Sequence, residues 1–180
     1  MKKVLLYVIL VAVVLGLAGY FMRGQLMMAM LPAFVSANMS RDLVADQPDG
    51  LHVMLCGAGS PLPDPNRSGP CVAVIAGDRV FIVDSGSGST RILQRVGIPM
   101  GSVEGIFLTH FHSDHIDGLG ELEMTRWAAG GAQAPLPVYG PEGVQDVVEG
   151  INLAYGRSRA SRVAHHGEEV IPADAAGAVA

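Results

Sequence analysis

"THFHSDHIDG", residues 109–118, gathers three of the chain's six histidines and two aspartates within ten positions. His110 and His112 are separated by one residue, so an extended backbone sends both imidazoles to the same side. A turn through residues 113–115 then returns Asp114 and His115 towards a neighbouring point. One histidine at a strand end is ordinarily a packed or exposed side chain, but three with an aspartate at this spacing favour metal ligation. Neutral imidazole and carboxylate suit zinc, with manganese or iron as substitutes, and two sets of ligands imply two ions. A bound divalent cation lowers the pKa of water towards 7, and a second stabilises the attacking and leaving oxygens. Asp114 is also the candidate to orient that water or take its proton. Asp117, just before Gly118, reads at least as well as a turn or helix cap.

Outward from this cluster the texture is that of short apolar runs broken by glycine and proline. "LHVMLC", from residue 51, reads as a strand, and "GAGSPLPDPNRSGP" as a loop. "CVAVIAG" and "DRVFIVDSG" read as a hairpin turning at "GD". A helix capped by Ser89 or Thr90 follows through "RILQRVG", with Gly97 and Pro99 ending it. "VEGIFLTH" is the strand that delivers His110. Helical spacing continues in "GLGELEMTRWAAGG", then a short strand in "APLPVYGP", then a helix in "EGVQDVVEGINLAYGRSRA" striped by Val144, Val147, Val148 and Ile151. Strands leading into helices make an α/β layered domain with functional residues at strand ends.

The N-terminus is different. Residues 4–22, "VLLYVILVAVVLGLAGYFM", carry no charge and span roughly 28 Å as a helix, close to the hydrocarbon thickness of a bilayer. Lys2 and Lys3 before it favour a cytoplasmic N-terminus and an inner-membrane anchor with the remainder outside, in the periplasm or its equivalent. An uncleaved anchor is favoured over cleavage after "VSA", residues 35–37, because the apolar run exceeds a usual signal-peptide core. The expected division is therefore an anchor or signal segment at 1–23, a methionine-rich juxtamembrane linker at 24–50, and the α/β domain at 51–180.

The net charge is −5, and no lysine occurs after position 3. Such a balance does not supply the clustered positive charge of a general nucleic-acid-binding surface. Arg157, Arg159 and Arg162 read as a solvated helix face. Cys56 and Cys71 fit either a disulfide between neighbouring strands of an exported chain or two buried thiols. The sequence leaves a homodimer open.

His110, His112, Asp114 and His115 together form the pattern HxHxDH, and in this the chain resembles the metallo-β-lactamase fold superfamily. "GAGSPLPDPNRSGP" and "VFIVDSGSGSTRILQRVGI" are similar to the corresponding stretches of its ribonuclease Z-like branch, which includes arylsulfatase and phosphodiesterase members. The resemblance covers about residues 51–180. It implies an αββα sandwich, a dinuclear zinc site and hydrolysis by metal-bound hydroxide, with His110 and His112 on the first zinc and Asp114 and His115 on the second. Asp84 in "FIVDSG" matches an acid that lies beneath the site, where it would position the ligand loop through hydrogen bonds; a local turn with Ser85 and Gly86 is its plain alternative.

The superfamily needs further ligands downstream, a histidine for the first metal and an aspartate and histidine for the second. Only His165 and His166 follow His115, beyond the last expected helix, where a surface pair is favoured over coordination. The ending "PADAAGAVA" shows no closing strand, so the chain reads as mainly the first half of the sandwich, preceded by a transmembrane helix. The expected function is a membrane-anchored extracytoplasmic zinc hydrolase of small phosphate or sulfate esters. Its alternative is a truncated or non-catalytic metal-binding or interaction fragment.

Overall fold

The computed structural model describes residues 2–39, 41–62, 64–129 and 132–180. It separates into two compact units, Met1–Arg41 and Asp42–Ala180. The first is one helix, α1 (Lys2–Met39), with Pro32 inside it. Its stretch Lys3–Ser36 contains an 18-residue window of mean hydropathy 2.6 and is long and apolar enough to cross a membrane. The apolar, methionine-rich residues 24–36 therefore continue the helix, and the expected linker is irregular only from about residue 41 onward.

The second unit carries a six-stranded sheet in sequential order, β1 (Leu51–Gly57), β2 (Cys71–Ala76), β3 (Arg79–Val83), β4 (Val103–Phe107), β5 (Leu136–Tyr139) and β6 (Ala178–Val179). The first two pairings are antiparallel and the last three parallel. Antiparallel neighbours need only short connections, and β2 turns into β3 at Gly77, whose φ of +63° suits a residue without a side chain. The parallel crossings need helices. These are α2 (Ser89–Val96), the single turn α3 (Ser113–Ile116) leading into α4 (Leu119–Ala128), and α5 (Val144–His166).

Alternation along the strands sorts their side chains into two faces. Ala73, Ile75, Val80, Ile82, Val103, Ile106 and Val138 form one core with Leu93 of α2, Leu119 and Leu122 of α4, and Val144 and Val148 of α5. The other face is apolar and open: Leu51, Val53, Leu55, Phe107 and Tyr139 are exposed. There Phe107 stacks on Tyr139 with centroids 4.9 Å apart and meets Phe81 at 6.1 Å.

Three local expectations are corrected. The residue preceding α2 is Gly88 in the left-handed region, and no side chain caps the helix; Ser89 and Thr90 lie within the first turn, their hydroxyls buried without a partner. α5 runs to His166, so the histidine pair ends the helix. The chain's last residues do make a short strand, because β6 pairs with β5 through Leu136 and Pro137 at the edge of the sheet.

Candidate metal centre

β4 ends at Phe107, and the segment from Leu108 to His112 leaves the sheet, bending at Thr109 and reaching an extended backbone at His112 before α3 turns. That path does what the one-residue spacing requires: the rings of His110 and His112 lie 4.4 Å apart, edge to face. The α3 turn then brings His115 back, 4.0 Å from His110. Asp114 Oδ2 is 3.7 Å from His115 Nε2. The rings of His112 and His115 thus lie against that of His110 and Asp114 lies beside His115, with His112 exposed and the others partly buried.

Asp84 organises this group from below. Its backbone has φ +58°, the one non-glycine residue in the left-handed region among those described, a conformation that aspartate tolerates better than most residues. Its carboxylate, 6% exposed, accepts from the Thr109 amide at 2.8 Å, from the Thr109 hydroxyl at 2.8 Å and from His115 Nδ1 at 2.9 Å. Thr109 Oγ1 also lies 3.0 Å from His110 Nδ1. A hydroxyl has one proton. With that proton given to Asp84, Thr109 can only accept, so His110 Nδ1 is the donor. Both His110 and His115 are therefore arranged to donate from Nδ1, which turns Nε2 of each ring away from these bonds, and in the neutral ring this is the tautomer that binds a metal through Nε2.

The backbone around the motif is equally constrained. Ser85 N donates to the His115 carbonyl and Gly118 N to the Ser85 carbonyl, both at 2.8 Å. A side chain at Gly118 would come 2.5 Å from the Gly86 carbonyl oxygen, so glycine is needed for the two turns to meet. Asp117 ends α3, is exposed, and lines with Asp114, Ser60, Asp64, Arg67 and Ser113 a surface cavity of about 470 Å³.

Donor type and tautomer both fit a divalent cation. The ligand shell is not closed: among the described residues no three His, Cys, Asp or Glu side chains are set together to hold an ion. His165 and His166 touch each other's rings at 4.6 Å and form no bond with the motif. Cys56 and Cys71 are joined in a disulfide and so supply no thiolate.

Fold and site define an α/β domain with a histidine and carboxylate cluster at the end of a parallel strand. The chain belongs to the metallo-beta-lactamase superfamily, matched over residues 64–176. Among curated relatives it is 42% identical over 124 residues to ribonuclease Z of Mycobacterium bovis (strain BCG / Pasteur 1173P2), covering 68% of this chain and 44% of that protein. To ribonuclease Z of Mycobacterium marinum it is 42% identical over 120 residues, 66% of this chain and 43% of the relative. The chain thus spans less than half the length of these relatives. Among solved structures, the short form of human tRNase Z matches with a TM-score of 0.52 and 29% identity, covering 59% of this chain and 40% of that one. The metallo-beta-lactamase fold protein YhfI of Bacillus subtilis, at 24% identity and TM-score 0.50 over 57% of this chain and 41% of its own, shares the fold.

Proposed function

We propose that the chain carries the ligand-bearing part of a metal-dependent phosphodiester hydrolase of the ribonuclease Z-like kind. The observation that carries this reading is the pair of Nδ1 bonds by which Thr109 and Asp84 orient the rings of His110 and His115, keeping Nε2 of each for a metal. His110 and His112 would hold one zinc ion, Asp114 and His115 a second. A divalent cation supplies Lewis acidity there, lowering the pKa of water and offsetting charge on the phosphoryl oxygens. The chain's own groups then act around the reacting phosphorus. Asp114 accepts the proton of the attacking water as the new P–O bond forms and the bond to the leaving oxygen breaks. His115 is held for this by Asp84, its hydrogen-bond acceptor.

The names of the relatives favour an RNA phosphodiester as substrate. The acid balance of the chain favours a second reading, a smaller phosphate or sulfate ester. Hydrolysis of bis(p-nitrophenyl) phosphate, an aryl sulfate and a 3′-extended transfer RNA by the zinc-loaded full-length natural protein separates these readings. Preferential cleavage of the RNA selects the first, and turnover of the small esters alone selects the second. Absence of turnover on all three would overturn both and leave a non-catalytic metal-binding domain, the alternative favoured by the open ligand shell.

The apolar stretch Lys3–Ser36, preceded by lysine, supports an inner-membrane anchor with the domain outside the cytoplasm. The disulfide agrees with an oxidising compartment. Retention in the membrane pellet after alkaline carbonate, together with protease access from the periplasmic side, is the expected outcome. Release by carbonate or full protection from the protease would sink this placement.

A further inference from the structure

The disulfide sits at the base of the long connection from β1 to β2, and that connection reaches the motif. β1 is irregular at Cys56, between Leu55 and Gly57; Cys71 opens β2, and both cysteines are 1% exposed. From this base the loop folds back on itself, Ser68 Oγ donating to the Cys56 carbonyl and Gly59 N to the Ser68 carbonyl, each at 2.7 Å. Its last residues then lock onto the strand-end loop that carries Asp84. Gly69 N donates to the Ser87 carbonyl at 2.9 Å, and Gly86 N to the Pro70 carbonyl at 3.0 Å.

No slack remains at that crossing. A methyl group on Gly69 would meet the Asp114 carbonyl oxygen and the Gly86 Cα, each at 2.9 Å. Gly69, Gly86 and the Asp114 backbone are therefore in direct contact, two residues from Cys71 at one end and within the motif at the other. Close-packed backbone transmits a displacement because it has no side-chain torsion to absorb it.

We propose that the Cys56–Cys71 bridge is a positioning clasp for the HxHxDH turn, so that oxidation of these two cysteines completes the ordering of Asp114 and His115. The bridge holds the end of the loop against Gly86, and Gly86 with Ser85 holds the turn. Reduction by a dithiol adds two electrons and two protons to the bridge, giving two thiols while the reductant becomes a disulfide. The loop end is then tied to β1 by hydrogen bonds alone. This deepens the proposed function, because the turn it orders is the proposed ligand turn.

The test uses the full chain in detergent micelles in three forms: oxidised, reduced with a dithiol, and the Cys56→Ala/Cys71→Ala pair. Trypsin cleavage after Arg67 reads the loop, and amide hydrogen exchange over residues 112–118 reads the turn, neither needing a metal. Faster cleavage together with roughly tenfold faster exchange in the reduced chain, reversed on reoxidation, is the expected result. The reduced wild type keeps every side chain, so it decides the matter if the double variant fails to fold. Unchanged exchange over 112–118 overturns the clasp, whether or not the loop is cut faster. Zinc affinity by chelator competition is followed in parallel, with a loss of about tenfold expected on reduction. If no form binds zinc, the metal reading fails, and the clasp still stands or falls on the exchange data.

Discussion

Asp84 and Glu123 are both buried acids, 6% and 1% exposed, yet their partners come from different parts of the molecule. Around Asp84 they are Thr109 and His115, beside or within the histidine motif. Around Glu123 they are Arg159 of α5 at 3.3 Å and the Gly177 amide at 2.8 Å, just before β6. Arg126, one turn along α4 from Glu123, spends its guanidinium on the Val103 and Ala134 carbonyls. Among the described residues no arginine or lysine bonds to Asp84. A carboxylate tied to a cation and a strand end holds elements together, whereas one tied to a histidine N–H, a backbone amide and a hydroxyl sets the direction of other side chains. Burial alone does not distinguish these roles; the identity of the partner does.

The two acids are expected to fail differently. Glu123→Ala leaves Arg159 and the Gly177 amide without their acceptor and is expected to cost about 3 to 5 kcal/mol of stability. Urea unfolding measures it, and zinc affinity of the folded fraction should hold. Asp84→Asn is expected to do the reverse. Asparagine accepts the left-handed backbone but loses the charge that fixes His115, so zinc affinity should fall by about 10 to 100-fold while the urea midpoint moves little. Equal effects of the two substitutions on both measurements would erase the distinction. Thr109→Val removes the hydroxyl between Asp84 and His110, and a loss of zinc affinity of about tenfold is expected. Thr109→Ser should restore it, and ¹⁵N spectra of the imidazoles should show His110 losing its fixed Nδ1–H form in the valine variant alone.

A smaller effect follows from pH. Burial pushes the Glu123 carboxyl above its ordinary value of 4.5, against the lowering influence of the Gly177 amide and of Arg159. A raised folded pKa means that this carboxyl contributes stability that is fully present below about 4.5 and is lost as the pH climbs through the raised value. The stability of the wild type relative to Glu123→Gln should therefore decline with rising pH across that window. A difference that stays flat from acid to neutral pH would show that the ionised form is as well accommodated as the neutral one. The smallest expected effect is that of Asp117→Ala. Asp117 is exposed and makes no side-chain bond to the motif, so zinc affinity should stay within twofold, roughly the noise of such a titration.

Much of the sheet is legible in the sequence because its strands alternate and its turns carry glycine. β1 to β5, α2 and α4 fall where the apolar runs and the stops at Gly77 and Gly97 place them. β6 is two residues long, too short for any period, and it exists because β5 and Asn152 bind its backbone. The extension of α1 past residue 23 was hidden by the methionines and Pro32, which read as a connector.

The metal motif is local and announces itself. Its support is not. Thr109 and Asp84 are 25 positions apart and Glu123 and Gly177 54, separations at which no spacing rule applies; Asp84 was visible through the family resemblance, Thr109 and Glu123 not at all. A buried acid in α4 facing an arginine in α5 becomes readable only when the helices are known to cross.

The left-handed backbone at Asp84 has a consequence for the paths open to sequence drift. Asparagine and glycine keep that conformation at little cost but abolish the carboxylate; glutamate keeps the carboxylate but has neither the short side chain nor the backbone tolerance. Position 84 therefore has no neutral neighbour among the twenty amino acids. A lineage that loses the aspartate there has no intermediate that preserves both the turn and the charge, and its return must pass through the same single residue.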